Sequence, residues 1–190
     1  RPVRPVPVVT SFTTGTGRTG RWWGHEHYAL AVDGVAAGKG IGNGYPVSVA
    51  ALGPRIIERL GDRPVRYAQS HQNDPLGAAV VGAVIDVIQE EALVERSRRL
   101  GGELLAGLQK IGSRGGVVRA ARGRGLMAAV EVEGEDVAGR IHRALLERGF
   151  VVGRRPGAAT LRLDPPLVVE EGDLEAFLAA LDSIVRDPNL

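Results

Sequence analysis

The 190 residues contain no cysteine. Disulfide frameworks, thiolate-held zinc, iron–sulfur clusters and thiol nucleophiles are thereby excluded. Lysine is nearly absent too. Of the 24 basic side chains, only Lys39 and Lys110 are lysine, and the rest are arginine. Chemistry that needs a primary side-chain amine therefore has two candidates. No apolar run approaches the ~18 residues of a membrane-spanning helix. No basic-then-apolar leader stands at the start, and the expected compartment is the cytoplasm. Charge of one sign is also lacking. The net charge is +2 with both signs mixed along the chain, so the high pI is weak ground for nucleic-acid binding. Acids are missing from residues 1–25, Glu26 being the first.

What is there reads as globular: 44% of residues are apolar and 24% charged. The length suits one good-sized domain, or one large and one small. Pro2, Pro5 and Pro7 break the opening nine residues, leaving room for a short edge strand at Val8 and Val9. Short apolar pieces alternating with glycine predict two buried strands, near 34–37 and 47–52, around a Gly-rich turn. Pro54 opens a helix over about 54–60. From Pro75, the spacing of Leu76, Val80, Val81, Val84, Ile85 and Ile88 predicts a helix. Leu93, Leu100, Leu104 and Leu108 extend it to about 30 residues joining two lobes, with a bend near Gly101-Gly102. Beyond it, strands are expected near 117–121, 126–132, 150–152 and 160–163, with helices over 135–148 and 172–186. That pattern is a compact α+β lobe.

Several motifs invite a function. Gly15-Thr-Gly17-Arg-Thr-Gly20 has the spacing of a dinucleotide fingerprint, but no strand leads cleanly into it and no good helix former follows. Gly38-Lys39-Gly40 lacks the spacing of a phosphate loop and the hydroxyl that would hold magnesium. His25-Glu26-His27 offers adjacent metal ligands without a third partner, and reads as a polar loop or helix edge; no metal is expected. Lys39 is the residue of interest. It lies between apolar AVDGVAA and Gly-rich GIGNGY, with no acid nearer than Asp33. Most lysines in such settings are simply exposed. The alternative is partial burial, which frees the amine to bond a carbonyl, while the flanking glycines admit a flat cofactor.

Taken together, TTGTGRTGRWWGHEHY, DGVAAGKGIGNGYPVSVAAL, SHQNDPLGAAVVGAVIDVIQEE, RGRGLMAAVEV and LRLDPPLVVEEGDLEAFL occur in an order that resembles the class III aminotransferases, the ornithine, acetylornithine and ω-amino acid group. The resemblance runs over roughly residues 13–186. It implies an α/β chain of the fold-type I pyridoxal 5′-phosphate transferases: the end of the large-domain sheet plus a small C-terminal α+β domain. The expected division is an atypical Pro-rich segment over 1–12, part of the large cofactor-binding domain over 13–98, and the small domain over 99–190. By the resemblance, Lys39 bonds the cofactor and shuttles a proton. Ser70 stands where the family has Thr, whose hydroxyl and backbone N–H reach the cofactor phosphate of the neighbouring subunit. Arg162 matches an arginine that in many members pairs with a substrate carboxylate, a task its fork geometry suits.

Two departures accompany the resemblance. Family members are more than twice this length, and the part carrying the phosphate-binding Gly-Ser/Thr turn and the ring-stacking aromatic has no counterpart here. The family's Asp-Glu-Val/Ile, whose Asp bonds the pyridine nitrogen, is replaced by Thr10, Ser11 and Phe12. A threonine hydroxyl carries no charge with which to keep that nitrogen protonated. Two readings follow. The chain is an aminotransferase fragment or split-enzyme subunit, whether from a divided, frameshifted or truncated coding sequence, inactive by itself and acting on a small amine and a keto acid or aldehyde. Alternatively it is a non-catalytic scaffold or regulatory subunit. Either way it needs a homo-oligomer or a complementary N-terminal aminotransferase chain, because a partial sheet exposes apolar surface and a strand edge.

Overall fold

The computed structural model describes residues 8–11, 14–64, 67–188 and 190. Most of the Pro-rich opening, with Phe12, lies outside the described residues. Contacts divide the chain into two units: Arg1–Gly17 with Arg21–Ala92, and Arg18–Gly20 with Leu93–Leu190.

The first unit is built on a three-stranded sheet. Strand β1 (Val8–Ser11) runs parallel to β2 (Gly34–Gly38), with Thr10 opposite Ala36. Strand β2 pairs antiparallel with β3 (Ser48–Leu52), Ala37 lying opposite Val49. A 3-10 turn spans Gly24–Tyr28 and a second spans Lys39–Gly42. Helix α1 (Pro54–Leu60) starts on its proline, and α2 covers Pro75–Glu90. The sequence predicted β3 as a buried strand; it is mostly exposed. It is the last strand of its sheet, so only β2 covers a side of it.

Helix α3 (Leu93–Gly112) opens the second unit. The single long helix expected from Pro75 onward is therefore two. The break falls at Glu91-Ala92, where Ala92 adopts a left-handed φ of 49°. Gly101 and Gly102 stay helical, because Gly101 serves packing: a Cβ there would stand 2.1 Å from the Gly125 carbonyl carbon. Then follow β4 (Val118–Arg124), β5 (Met127–Val132), α4 (Glu135–Glu147), β6 (Gly153–Arg154), β7 (Thr160–Leu163) and α5 (Glu171–Val185). The sheet order is β4-β5-β7-β6 with every pair antiparallel.

Alternation explains how this sheet packs. Ala128, Val130 and Val132 of β5 are buried while Met127, Ala129 and Glu131 are half-buried. The buried side meets Leu100, Leu104 and Leu108 of α3, Val137, Ile141 and Leu145 of α4, and Leu174, Leu181 and Ile184 of α5. Phe150 and Phe177 close one end edge to face, centroids 5.6 Å apart. The strand expected over 150–152 is displaced to Gly153–Arg154. Helix α4 consumes the intervening residues: Phe150 N–H donates to Leu145 O at 2.9 Å, Gly149 N–H to Leu146 O at 2.9 Å, and Gly149 takes φ 85°. That is a Schellman termination, which places glycine at its left-handed position.

Candidate functional site

Lys39 begins the 3-10 turn that follows β2. Its own backbone is left-handed, φ 56°, and so is that of Asn43, φ 43°. Such a conformation costs a side-chain-bearing residue ~1 kcal/mol or more and persists where the surroundings enforce it. Here Ile41 and Gly42 are buried beneath the turn. A Cβ on Gly42 would lie 2.6 Å from Val47 Cγ1, so only glycine lets Val47 close over it. Tyr45 N–H donates to Gly42 O at 2.8 Å and Val47 N–H to Tyr45 O at 2.9 Å. Lys39 itself is exposed, not partly buried as its reading as a reactive amine anticipated, and a Cβ on Gly40 would meet nothing within 4 Å. The lysine thus stands at the C-terminal end of β2 with open space beside it.

The acid nearest in sequence is committed elsewhere. Asp33 is buried, and its carboxylate lies 3.1 Å from the Arg55 guanidinium. Its carbonyl accepts the Gly53 N–H at 2.6 Å, tying the start of β2 to the end of β3.

Ser70 is exposed and opens the turn that leads into α2. Helix α2 is capped by Asp74, whose Oδ1 accepts the Leu76 N–H at 3.1 Å, with Pro75 at the first helical position. The other oxygen, Oδ2, accepts the Tyr45 hydroxyl at 3.3 Å. Tyr45 follows the Lys39 turn and Asp74 follows the Ser70 turn, so this bond joins the two segments that carry them. Desolvation, together with the adjacent Asp74 carboxylate, holds the Tyr45 phenol above its ordinary value. Sequence reasoning passed over both residues. The Asp-Pro ahead of an apolar run signals a helix start; nothing local signals Tyr45 as its partner.

Arg162 belongs to the second unit. It sits on β7 between small neighbours, Ala129 on β5 and Gly153 on β6. Those neighbours leave a hollow of about 370 Å³, lined also by Arg154, Arg155 and Thr160. The Arg162 side chain is 58% exposed and its Nε donates to Asp164. On the adjoining part of the sheet Arg122 pairs with Glu131 at 2.8 Å.

The other motifs resolve into structure. Gly15–Gly20 starts no helix. Its Arg18–Gly20 portion is clamped in the second unit: Arg18 O accepts from Ser97 Oγ at 2.7 Å and from Leu126 N–H at 2.9 Å. The Arg18 guanidinium donates to Pro165 O at 2.7 Å and Leu126 O at 3.3 Å. A Cβ on Gly125 would be 2.5 Å from Arg18 O, and one on Gly20 2.8 Å from Arg98 Cβ. The glycines therefore serve close backbone approach. His25 and His27 lie on a 3-10 turn, where alternate residues do not share a face as they would on a strand. No helix among the described residues is long and apolar enough to cross a membrane.

Comparison with known proteins places this arrangement in a family. The chain is 35% identical over 183 residues to an acetylornithine aminotransferase of Gloeobacter violaceus, a match covering 95% of this chain and 44% of that protein. It is 34% identical over 179 residues to a putative [LysW]-aminoadipate semialdehyde/glutamate semialdehyde transaminase of Aeropyrum pernix, covering 94% of this chain and 45% of the relative. Among solved structures, a transaminase from the marine bacterium Virgibacillus superposes with a TM-score of 0.85 at 28% identity, over 94% of this chain and 44% of that one. An ornithine delta-aminotransferase of Plasmodium falciparum gives 0.84 at 28% identity, over 96% and 48%. The chain thus spans less than half the length of these relatives. The chain has the α/β fold of the C-terminal part of fold-type I pyridoxal-phosphate transaminases, the end of the large-domain sheet with a small α+β domain. The model of the class-III aminotransferases, a pyridoxal-phosphate-dependent family, matches residues 8–185, and with the lysine turn and both units in place the chain belongs to that family.

Proposed function

We propose that this chain contributes the lysine-bearing part of a class-III aminotransferase, moving an amino group from a small amine to a keto acid or aldehyde. It acts with a complementary chain, or as part of a longer one, that supplies the remaining cofactor contacts. One observation carries the reading: Lys39, one of two lysines, is held left-handed between two glycines at the end of a strand, exposed and with room beside it. Those residues fit pyridoxal 5′-phosphate, since a flat ring needs both a reachable amine and a backbone with no side chain in the way. When bound, the cofactor supplies the electron sink that makes a carbon–hydrogen bond next to nitrogen acidic.

The chain's own residues divide the remaining work. Lys39 Nζ would hold the cofactor through its aldehyde carbon and, once the donor amine displaces it and frees the lysine amine, would take the proton from the donor carbon and return it to another position. Ser70 offers a hydroxyl and a backbone N–H to the phosphate. Arg162 offers its guanidinium to a substrate carboxylate, the N–H groups not engaged by Asp164 remaining for it. Thr10, in the place of the family's Asp, supplies no charge, so the assembly must protonate the ring by other means or run slowly. Exposed Leu52, Ile57, Tyr67 and Leu76 in the first unit mark the surface a partner chain or second copy would cover.

The test is amino transfer by the assembled protein, followed with a primary amine donor and a 2-oxo acid acceptor. Lys39→Ala is expected to abolish it, Arg162→Ala to raise KM for carboxylate-bearing substrates alone, and Ser70→Ala to weaken cofactor retention. The second reading, a non-catalytic subunit, is favoured by Thr10. It predicts that an assembly containing this chain keeps its full activity when Lys39 is replaced by alanine.

A further inference from the structure

Two left-handed residues with side chains, Lys39 and Asn43, stand within five positions of each other, and Gly44 adds a φ of 97°. The backbone bonds of the segment are few. Something beyond them must hold it, because an unsupported turn would relax to right-handed or extended conformations. The support comes from the first turn of α2. Val47 lies between two glycines: its Cγ1 fills the side-chain position of Gly42, and its Cγ2 lies 3.3 Å from where a Gly77 Cβ would stand. The Tyr45 ring passes at 3.6 Å from that same position, and its hydroxyl ends on Asp74. Asp74 uses one carboxylate oxygen for its own helix and the other for Tyr45.

We propose that Tyr45 and Asp74 form a latch that fixes the Lys39 turn against the start of α2, making both of them positioning residues for the Lys39 amine. The proposal rests on the reading of Lys39 as the reactive lysine only for its consequence; the latch itself is a property of the turn. Asp74 couples two segments that chemistry needs together, because the four residues before it lead back to Ser70. A loosened latch leaves the fold intact and lets Lys39 sample directions from which its nitrogen no longer meets a bound aldehyde in one orientation. Such loss of orientation is costly for any reaction at that nitrogen.

The experiment uses the full chain and two probes. Amide hydrogen exchange at Asn43, Tyr45 and Val47 is compared with that of the β5 amides. Tyr45→Phe, which removes one hydroxyl, is expected to speed the first set about fivefold and leave β5 unchanged, the effect of one hydrogen bond. Formaldehyde with borohydride then methylates both lysines whether or not a cofactor binds, and Lys110 on α3 serves as internal reference. The extent of Lys39 labelling relative to Lys110 at one fixed pH is expected to change in Tyr45→Phe. Asp74→Asn, which keeps one oxygen for the Leu76 N–H and offers an amide N–H that the Tyr45 hydroxyl oxygen can accept, should stay near the parent in both readouts, and Asp74→Ala should not. Should Tyr45→Phe fail to fold, the Asn and Ala pair at position 74 decides. Exchange within twofold of the parent, with an unchanged ratio of Lys39 to Lys110 labelling, overturns the proposal. A latch that behaves as expected in a chain whose Lys39 never bonds pyridoxal phosphate would instead sink the functional reading and leave the latch standing.

Discussion

The two units satisfy their apolar residues to different degrees. The second encloses a continuous core drawn from three helices and three of its four strands, with Leu100, Ile141 and Leu145 entirely buried. The first buries Ala37, Ile41 and Ile88 but leaves Val8, Leu52, Ile57, Leu76 and Val87 in the open. The cause of the contrast is architectural. A four-stranded antiparallel sheet with helices on one face is a closed packing problem, whereas a three-stranded sheet with a mostly exposed last strand is an open one. The residues matched to chemistry follow the same division: Lys39 and Ser70 are exposed in the open unit, and Arg162 rests on the closed one.

The largest expected effect breaks the closed unit. Gly125→Ala adds a Cβ 2.5 Å from Arg18 O at a φ of +53°, and Gly101→Ala adds one 2.1 Å from the Gly125 backbone. Each should destabilise the second unit by more than ~3 kcal/mol in urea unfolding. Gly40→Ala, in the open unit, meets nothing within 4 Å and should change stability by less than ~0.5 kcal/mol. Next comes core truncation. Leu104→Ala should cost about 3 kcal/mol, while Leu52→Ala, half exposed on β3, should cost under ~0.5 kcal/mol. Equal losses at the two leucines would erase the contrast. Smaller again is Ser97→Ala, which removes a fully buried hydroxyl bridging Arg18 O and the Leu126 N–H; about 1–2 kcal/mol is expected.

How much of this was readable beforehand varies with the range of the interaction. Helices α4 and α5 announced themselves because Val137, Ile141 and Leu145, then Leu174, Leu181 and Ile184, follow the helical period, and a period is a local property. The lysine turn was readable from its flanking glycines. The division between α2 and α3 was not, because Ala92 takes a left-handed conformation that no alanine advertises. The strand misplaced at 150–152 shows one apolar residue, Phe150, spent on ending a helix and another, Val151, left exposed. Gly101 suggested a bend and Gly20 the end of a nucleotide fingerprint, yet both serve contacts between segments far apart in sequence. Tyr45 and Asp74, 29 residues apart, belong to the same class.

The smallest expected effect concerns acid. Desolvation raises the Asp182 carboxyl, but hydrogen bonds and charge from Arg114 and Arg186 outweigh it and hold the group below its ordinary 3.8. Because the folded value is depressed, the stabilisation is present above the ordinary value and is lost as pH falls through the lowered one. Asp182→Asn should therefore flatten the acid limb of the second unit's stability by slightly lowering its neutral-pH value, while stability below the depressed value stays unchanged. High salt should mimic the substitution, as screening weakens exposed pairs.

The central claim is that Lys39 is the amine that bonds a vitamin B6 aldehyde. Peptide mapping after pyridoxal 5′-phosphate and borohydride treatment of the full chain, with its partner chain present, tests it most directly because only two lysines compete. The account predicts a reduced adduct on Lys39 at cofactor concentrations that leave Lys110 unlabelled, and its loss in Lys39→Ala. Equal labelling of the two lysines, or labelling of Lys110 alone, would contradict it.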